Sequence, residues 1–316
     1  MNSHKHIVIV GAGAIGGLYA AYLAKVANVS VIDLNRAHVQ TIREQGLALA
    51  GLTQSVTHLD AYASAEEMGK KKIDAIIILV KSQATEAAFK SVEPFIEGKP
   101  VLVTFQNGMG NDELLERITA LDVAHGVSFE AARYDGPGKV HHLVHGECSW
   151  IGPSRGSLES VAWLGELMDQ SGLPTKSTAD PSGAIWGKFI FNSIMNPIGA
   201  LVMGVNAARY NVTEVCDLID AMTIEALAVA KALGISIPYD PMAFVKKTRS
   251  GELAITKHGG SMAQDIAAGR ETEIDGLTGY LVRRAKELGV AVPTCEAIYR
   301  IMKGLDYAAR LKREGK

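Results

Sequence analysis

The sequence predicts a mixed α/β fold, with a sheet-containing domain over residues 1–180 and an all-helical domain over residues 181–316. In the first half, short β-branched runs such as HIVIV at 6–10 and AIIILV at 75–80 alternate with helical patterns. This alternation is typical of parallel strands that are covered on both faces. In the second half, the apolar residues recur at helical spacing from residue 184 onward.

Composition excludes several classes of protein. The 316 residues are enough for two cores, and the net charge of −2 gives no basic surface for nucleic acid or membrane. The longest uninterrupted apolar run, at 75–80, is too short to cross a bilayer. Three cysteines far apart (Cys148, Cys216 and Cys295) and a polar start, MNSHKH, indicate neither a disulfide framework nor a secretory signal. We therefore expect a cytoplasmic protein.

A glycine-rich turn follows the first strand directly. Gly11, Gly13 and Gly16 of GAGAIGG fill the pattern G-x-G-x-x-G, with a strand before them and a helix after them. In this context the glycines permit a tight turn, close approach of a pyrophosphate and close helix–strand packing. The alternative is a tight strand–helix turn without a ligand. We predict a Rossmann-type domain that binds a nicotinamide dinucleotide through Gly11, Gly13, Ala14, Ile15 and Gly16.

The residues after the second strand bear on the choice of coenzyme. The strand VSVID ends at Asp33, whose carboxylate is expected to accept hydrogen bonds from ribose hydroxyls and to repel a 2′-phosphate. Asp33 therefore favours NAD(H). Asn35 and Arg36 follow, and an arginine in this loop can accommodate the phosphate of NADP(H). Both coenzymes remain open at this point.

Two further strand ends carry polar residues. Lys81 follows the strand at 74–80, and Asn107 follows the strand at 100–105. Ligands of open α/β sheets lie at the carboxyl ends of strands, although a solvated lysine and an Asn-Gly turn are the plainer interpretations. Residues 123–152 are predicted to be antiparallel strands that close the same sheet. The three histidines there, His141, His142 and His145, have no carboxylate or cysteine at a fixed spacing and are predicted to be strand surface residues, not metal ligands.

One helical segment has an unusual polar row. In WGKFIFNSIMNPIGALVMGV at 186–205, Lys188, Asn192 and Asn196 stand at i, i+4 and i+8 on an otherwise apolar helix. Buried polar groups cost free energy unless they are hydrogen-bonded. Either a protein network satisfies them or a substrate does, and a lysine beside a ketone can donate a proton during hydride transfer. Further along, TEID at 272–275 predicts a capping box at a helix start.

Several segments together resemble the ketopantoate reductases, also called 2-dehydropantoate 2-reductases. The resemblance spans nearly the whole chain. It rests on GAGAIGG, LVKSQAT at 79–85, QNGMG at 106–110, WGKFIFNSIMNPIGAL at 186–201 and the segment GSMAQDIAAGRETEIDGLTGYLVRRAKELGVAVP at 260–293.

The resemblance implies roles for individual residues of the helical half. Lys188 corresponds to the family's catalytic lysine, and Glu273 to the acidic partner that positions it. Asn192 and Asn196 correspond to substrate-binding asparagines, and Ser261 to a serine that contacts the substrate carboxylate.

Asn107 and Lys81 correspond to residues beside the nicotinamide and its ribose, and Asn107 also to a substrate ligand. The family implies NADP(H) as the coenzyme, bound with an arginine after the second strand. This chain has Asn35 there, next to Arg36 and two residues after Asp33.

The expected activity is reduction of ketopantoate to D-pantoate on the route to pantothenate and coenzyme A. The main alternative is an NAD-dependent D-2-hydroxyacid dehydrogenase that takes another 2-keto acid. A β-hydroxyacid dehydrogenase and a non-catalytic dinucleotide sensor are further alternatives. We expect a small 2-keto acid as substrate, no metal, and a homodimer formed through the helical domain.

Overall fold

The computed structural model describes residues 5–146, 148–255 and 259–314. The chain divides into two compact units. Unit 1 runs up to Gln106 and from Asn111 to Pro181. Unit 2 consists of Asn107–Gly110 together with the described residues from Ser182 onward.

Within the described part of the chain, every strand belongs to unit 1. The strands are β1 (His6–Val10), β2 (Asn28–Ile32), β3 (Leu47–Gly51), β4 (Ser55–Thr57), β5 (Asp60–Tyr62), β6 (Lys71–Lys72), β7 (Ala75–Ile78), β8 (Ile96–Glu97), β9 (Val101–Thr104), β10 (Val123–Val127), β11 (Ala131–Gly136), β12 (Lys139–Val144), β13 (Ser149–Arg155) and β14 (Thr175–Ser177).

Unit 1 also carries the first six α-helices, and unit 2 carries the others. Those of unit 1 are α1 (Ala14–Leu23), α2 (Arg36–Gln45), α3 (Ala65–Met68), α4 (Thr85–Val92), α5 (Asn111–Ile118) and α6 (Leu158–Ser171). Those of unit 2 are α7 (Ser182–Leu201), α8 (Asn206–Asn211), α9 (Thr213–Ala232), α10 (Ala243–Arg249), α11 (Ser261–Ala267), α12 (Thr278–Leu288) and α13 (Pro293–Arg313). Short 3-10 helices occupy Ser82–Ala84, Glu93–Phe95 and Ile274–Gly276.

The main sheet confirms the predicted Rossmann-type architecture. Its strand order is β14-β13-β10-β9-β7-β1-β2-β5, and all neighbours are parallel except β10 and β13. Alternate residues of β1 enter different cores, with Ile7 and Ile9 on one face and Val8 and Val10 on the other. This two-sided burial explains why the strands are continuous β-branched runs.

The prediction for residues 123–152 is wrong in part. Only β10 and β13 join the main sheet, and β10 runs parallel to β9. The hairpin of β11 and β12 instead joins β3 and β4 in a separate four-stranded sheet. The reason is visible in the burial of the hairpin, since buried residues in β12 alternate with accessible ones and β11 is largely exposed. Such strands fit a sheet that faces solvent on one side.

Helices α7, α9, α12 and α13 surround the core of unit 2. Helix α7 ends at Leu201, where Met203 and Gly204 take positive φ values of 54° and 75°. A separate short helix, α8, then precedes α9, which begins at Thr213. Among the described residues, no helix is both long and apolar enough to cross a membrane.

The predicted capping box at 272–275 is also wrong. The Thr272 amide and hydroxyl both donate to the Asp306 carboxylate, at 3.2 and 3.0 Å. The Asp275 carboxylate instead accepts from the Tyr299 hydroxyl and the Lys303 ammonium, each at 2.7 Å. A 3-10 turn follows, and α12 begins only at Thr278. Contacts with α13 therefore hold this turn in place of a local cap.

Candidate active site

The glycine turn after β1 has room for a ligand at one position only. Gly11 has a φ of +94°, and a Cβ there would lie 2.8 Å from the Leu79 carbonyl oxygen. A Cβ on Gly16 would lie 1.8 Å from the Gly11 carbonyl oxygen. Gly13, in contrast, faces open space. The first and last glycines therefore serve backbone packing, and Gly13 leaves the turn open to an approaching group.

The start of α1 fits the pyrophosphate of a dinucleotide. The helix begins at Ala14 after Gly13, no side chain caps it, and its first turn carries no acid. Gly13, Ala14 and Ile15 are partly accessible, whereas the flanking residues Ala12 and Gly16 are buried. The N–H groups at this end are therefore available to an anion, which the helix dipole also favours.

Asp33 is fixed at the end of β2 by the backbone. Its Oδ2 accepts the Ala12 amide at 2.9 Å, and its Oδ1 accepts the Asn35 amide at 2.8 Å. The carboxylate thus ties the glycine turn to the β2–α2 loop. A carboxylate has about four acceptor positions, so two oxygens with one N–H bond each can still accept ribose hydroxyls.

Asn35 and Arg36 have different surroundings. The Asn35 side chain caps α2 by accepting the His38 amide at 3.1 Å, and its Nδ2 donates to the Tyr134 hydroxyl at 3.3 Å. Burial and the charge of Asp33 raise the pKa of Tyr134. Arg36 is 81% exposed and lies 3.6 Å from Glu67. A weak surface pair of this kind leaves the guanidinium available to a ligand.

Lys81 lies at the carboxyl end of β7, on the surface just before the first 3-10 helix. The neighbouring strand β9 leads to Gln106, whose amide donates to the Val80 carbonyl at 2.7 Å and to the Thr85 hydroxyl at 2.8 Å. The ends of β7 and β9 are therefore joined by side-chain hydrogen bonds. This places Lys81 at the edge of the sheet where ligands of such folds bind.

In unit 2, the polar row on α7 lies on a largely buried helix and is partly accessible at both of its ends. Lys188 and Asn196 are partly accessible and Asn192 is 8% exposed, while most of their helix neighbours are buried. Burial lowers the pKa of Lys188 to about 8, because removing water disfavours the charged ammonium. An ammonium with this pKa is protonated at neutral pH and still gives up its proton readily.

The segment Asn107–Gly110 packs within unit 2 and brings Asn107 to this row. The Asn192 amide donates to Asn107 Oδ1 at 3.3 Å. The Met109 amide donates to the Gly276 carbonyl at 3.0 Å, and a Cβ on Gly108 would lie 2.7 Å from the same oxygen. Gly108, with a φ of +85°, is therefore needed for this close approach.

Glu273 lies at the turn that Asn107–Gly110 contacts. It is partly buried, between Thr272, which α13 holds, and Ile274, which is fully buried. Ser261 is exposed at the first position of α11, a helix that packs against α7. The fold therefore brings Asn107 to the α7 row directly. It carries Ser261 on a helix that packs against α7, and Glu273 on the turn that Gly108 and Met109 contact.

Thr278 and Arg209 support this region, and neither was predicted from the sequence. Pro197 cannot donate to the Ser193 carbonyl, and the Thr278 hydroxyl donates to it instead at 2.6 Å. Buried Arg209 donates to the Met195 carbonyl at 3.1 Å and to the Gly259 carbonyl at 3.3 Å. Pro197 signals that the backbone carbonyl one turn earlier lacks a helical donor. No local pattern identifies the distant residue that donates to this carbonyl.

Comparison with known proteins covers both units. Residues 7–156 match the family model described as ketopantoate reductase PanE/ApbA, and residues 180–306 match the model of its C-terminal part. A 2-dehydropantoate 2-reductase of Pyrococcus horikoshii is 31% identical over 300 residues, which cover 94% of this chain and 96% of that protein.

Solved structures agree with this assignment. A PanE/ApbA family ketopantoate reductase from Ralstonia eutropha is 27% identical with a TM-score of 0.84, over 97% of this chain and all of that one. D-mandelate dehydrogenase, solved with NADH and anilino(oxo)acetate, shares the fold with a TM-score of 0.84 at 24% identity, over 96% of this chain and 99% of that one. The chain therefore belongs to the ketopantoate reductase family of NAD(P)H-dependent oxidoreductases.

Proposed function

We propose that this protein is a 2-dehydropantoate 2-reductase, which reduces the ketone of ketopantoate to the alcohol of D-pantoate. The observation that carries the proposal is the row of Lys188, Asn192 and Asn196 along α7, in a chain whose two units both match this family. The reaction belongs to the route to pantothenate and coenzyme A.

Lys188 is the proposed proton donor. A bound NAD(P)H would supply the hydride for the new C–H bond at the ketone carbon and would leave as NAD(P)⁺. The carbonyl oxygen then carries the electron pair of the broken π bond, and the Lys188 ammonium donates a proton to it. A pKa of about 8 suits this role, because the group is charged at neutral pH and acidic enough to release the proton. Solvent returns the proton to the amine.

The amides near Lys188 are the proposed substrate ligands. Asn192, Asn196 and Asn107 offer both donors and acceptors, which suit the hydroxyl and carboxylate of ketopantoate. Ser261 is the proposed donor to the carboxylate. Glu273 is proposed to position Lys188, an assignment that rests on family resemblance and on the anchored turn that carries this acid.

We propose NADH as the preferred coenzyme, bound at Gly11, Gly13, Ala14, Ile15 and Gly16. The support is Asp33, whose carboxylate is held at the end of β2 where the adenosine ribose of such folds binds. Its charge opposes a 2′-phosphate. Arg36 and Lys81 are the proposed cationic neighbours of the coenzyme, and Asn35 takes the place of an arginine.

An NAD-dependent D-2-hydroxyacid dehydrogenase is the second candidate, and Asp33 is the residue that favours it. Initial rates with ketopantoate and with benzoylformate, each with NADH and NADPH, separate the two. We expect ketopantoate to give the higher kcat/KM. Faster reduction of benzoylformate, with little turnover of ketopantoate, would assign the protein to the second class.

We also propose a homodimer in the cytoplasm. Exposed apolar side chains on α9 and α13, including Ile224 and Ile301, favour a partner for unit 2. The three cysteines are free thiols, which fits a reducing compartment. Light scattering coupled to size-exclusion chromatography tests the dimer.

A further inference from the structure

Three side chains of unit 1 that have no part in the proposed reaction converge on one point. The ligand atoms of Glu130, His142 and His145 all lie within 4.8 Å of one another. His142 Nε2 is 2.8 Å from Glu130 Oε2, and His145 Nδ1 is 3.2 Å from Glu130 Oε1. The Glu130 and His142 side chains are 2% and 1% exposed, whereas that of His145 is 43% exposed.

The fold creates this cluster from residues that are separated in the sequence. Glu130 stands just before β11, His142 lies on β12, and His145 follows β12. The antiparallel pairing of β11 with β12 returns the chain to Glu130, where the Gly146 amide also donates to Oε1 at 3.0 Å. The carboxylate that the histidines lack at a fixed sequence spacing therefore comes from the other end of the hairpin.

A second layer of hydrogen bonds orients the buried histidine. His142 Nδ1 is 2.9 Å from the Thr53 hydroxyl, which is 2.7 Å from the Tyr22 hydroxyl. A metal-bound histidine commonly has such a partner on its other ring nitrogen, which fixes the ring and the tautomer. Thr53 can accept from Nδ1 and donate to Tyr22. Nε2, which lies 2.8 Å from Glu130 Oε2 and 3.0 Å from the Val144 carbonyl oxygen, would then exchange its hydrogen for a metal ion.

Glu130 is a buried acid within this cluster. Its ion-pair partners in the described part of the chain are His142 and His145. Burial of a carboxylate is costly unless the group is hydrogen-bonded and paired with positive charge. A divalent cation held by the three side chains would supply that charge.

We propose that Glu130, His142 and His145 bind one divalent transition-metal ion, with zinc the best match to two nitrogens and one oxygen. Metal–ligand bonds of about 2.0–2.1 Å in a tetrahedral site place neighbouring ligand atoms roughly 3.3 Å apart. The 3.2 Å distance between Glu130 Oε1 and His145 Nδ1 already meets this requirement. The 2.8 Å distance between Glu130 Oε2 and His142 Nε2 must lengthen by a few tenths of an ångström. The Val144 carbonyl, 3.0 Å from His142 Nε2, or water on the exposed side of His145, completes the site.

The proposed ion is structural and is separate from the reductase chemistry. It ties the end of the β11–β12 hairpin to Thr53 and, through that hydroxyl, to Tyr22 on α1. Metal binding to a folded site adds to the free energy of unfolding. The ion therefore stabilises unit 1, and its presence is measured by stability and metal content, not by enzyme activity.

Metal content and thermal unfolding test the proposal. The full-length protein is dialysed against zinc chloride and passed through a desalting column. Its zinc content is then measured by inductively coupled plasma mass spectrometry. Glu130→Gln and His145→Ala remove ligands, and His145 is accessible enough for that change to preserve the fold. His141→Ala is the matched control, because His141 is adjacent on β12 and pairs with Asp135 instead.

We expect one zinc per chain in the wild type and in His141→Ala, and far less in the two ligand variants. A chelator is expected to lower the melting temperatures of the wild type and of His141→Ala by several degrees. The melting temperature of His145→Ala is expected to stay the same with and without the chelator. Cobalt substitution is expected to give visible absorption typical of tetrahedral coordination. A wild type that retains no zinc, or equal zinc in wild type and His145→Ala, would overturn the proposal and identify the cluster as a buried hydrogen-bond network.

Discussion

The Thr278 hydroxyl donates a 2.6 Å hydrogen bond to the Ser193 carbonyl, the acceptor that Pro197 leaves without a helical donor. Both Thr278 and Ser193 are fully buried. The bond joins the start of α12 to the middle of α7, within the stretch between Asn192 and Asn196. The shape of the polar row thus depends on a residue 85 positions further along the chain.

Thr278→Val is therefore expected to lower the free energy of unfolding by about 1–3 kcal/mol, because it leaves a buried carbonyl unsatisfied. Thr223→Val is the matched control, since the Thr223 hydroxyl only adds a second bond to the Ile219 carbonyl within α9. Denaturant unfolding of both variants measures the difference. Equal losses would mean that the carbonyl freed by Pro197 does not depend on Thr278.

With Lys188 as the proton donor, we expect its pKa, about 8, to set the pH dependence of the reduction. The ammonium form donates the proton, so kcat/KM is expected to be flat below this pKa and to fall about tenfold per pH unit well above it. Rates at saturating coenzyme from pH 6 to 10 measure the profile. Lys188→Arg, whose guanidinium stays charged, is expected to be slow and to lose this alkaline fall. An alkaline limb that persists in this variant would assign the titration to another group.

The lowered pKa of Lys188 predicts that this residue costs stability at neutral pH. Its pKa is about 8 in the folded protein against an ordinary 10.5, so burial penalises the ammonium fully below pH 8. Between the two values the unfolded state binds more protons and stability rises with pH. Lys188→Met is expected to gain about 2 kcal/mol at pH 7, a gain that shrinks toward pH 10.5. Lys231→Met, at an exposed position of α9, is the control for loss of a lysine. An equal gain in the free energy of unfolding in Lys231→Met would show that burial of Lys188 is not the cause.

Coenzyme preference is expected to change at Asn35. Asn35→Arg adds a cation beside Asp33 and Arg36, and we expect it to raise affinity for NADPH relative to NADH by at least about tenfold, the size of one favourable charge contact of roughly 1.4 kcal/mol. The substitution also removes the cap of α2, which costs about 1 kcal/mol. Asn35→Ser keeps a capping hydroxyl and adds no charge. Fluorescence titration of each variant with both coenzymes gives the dissociation constants, and an unchanged ratio in Asn35→Arg would show that this position does not contact the phosphate.

Local patterns predicted the parts of the fold that depend on neighbouring residues. Gly11, Gly13 and Gly16 indicated the nucleotide turn because strand, turn and helix are contiguous. Lys188, Asn192 and Asn196 indicated a polar row on α7, because helical spacing alone places them on one side.

Features that depend on long-range packing were not visible in the sequence. Thr272 has the sequence context of a helix cap, but Asp306 on α13 competes successfully for its amide and hydroxyl. The hairpin of β11 and β12 looks like a continuation of the main sheet, yet it pairs with β3. The partners of Asn107 and Ser193 lie 85 residues away, and a single sequence carries no signal for such contacts.

The most direct test of the central claim is the rate of ketopantoate reduction by the wild type and by Lys188→Ala, with the dissociation constant of NADH measured for each. We expect kcat to fall by about 10²–10⁴, the usual contribution of a positioned general acid, while the NADH dissociation constant stays within about twofold. A Lys188→Ala variant that reduces ketopantoate at nearly the wild-type rate would contradict the assignment of Lys188 as the proton donor.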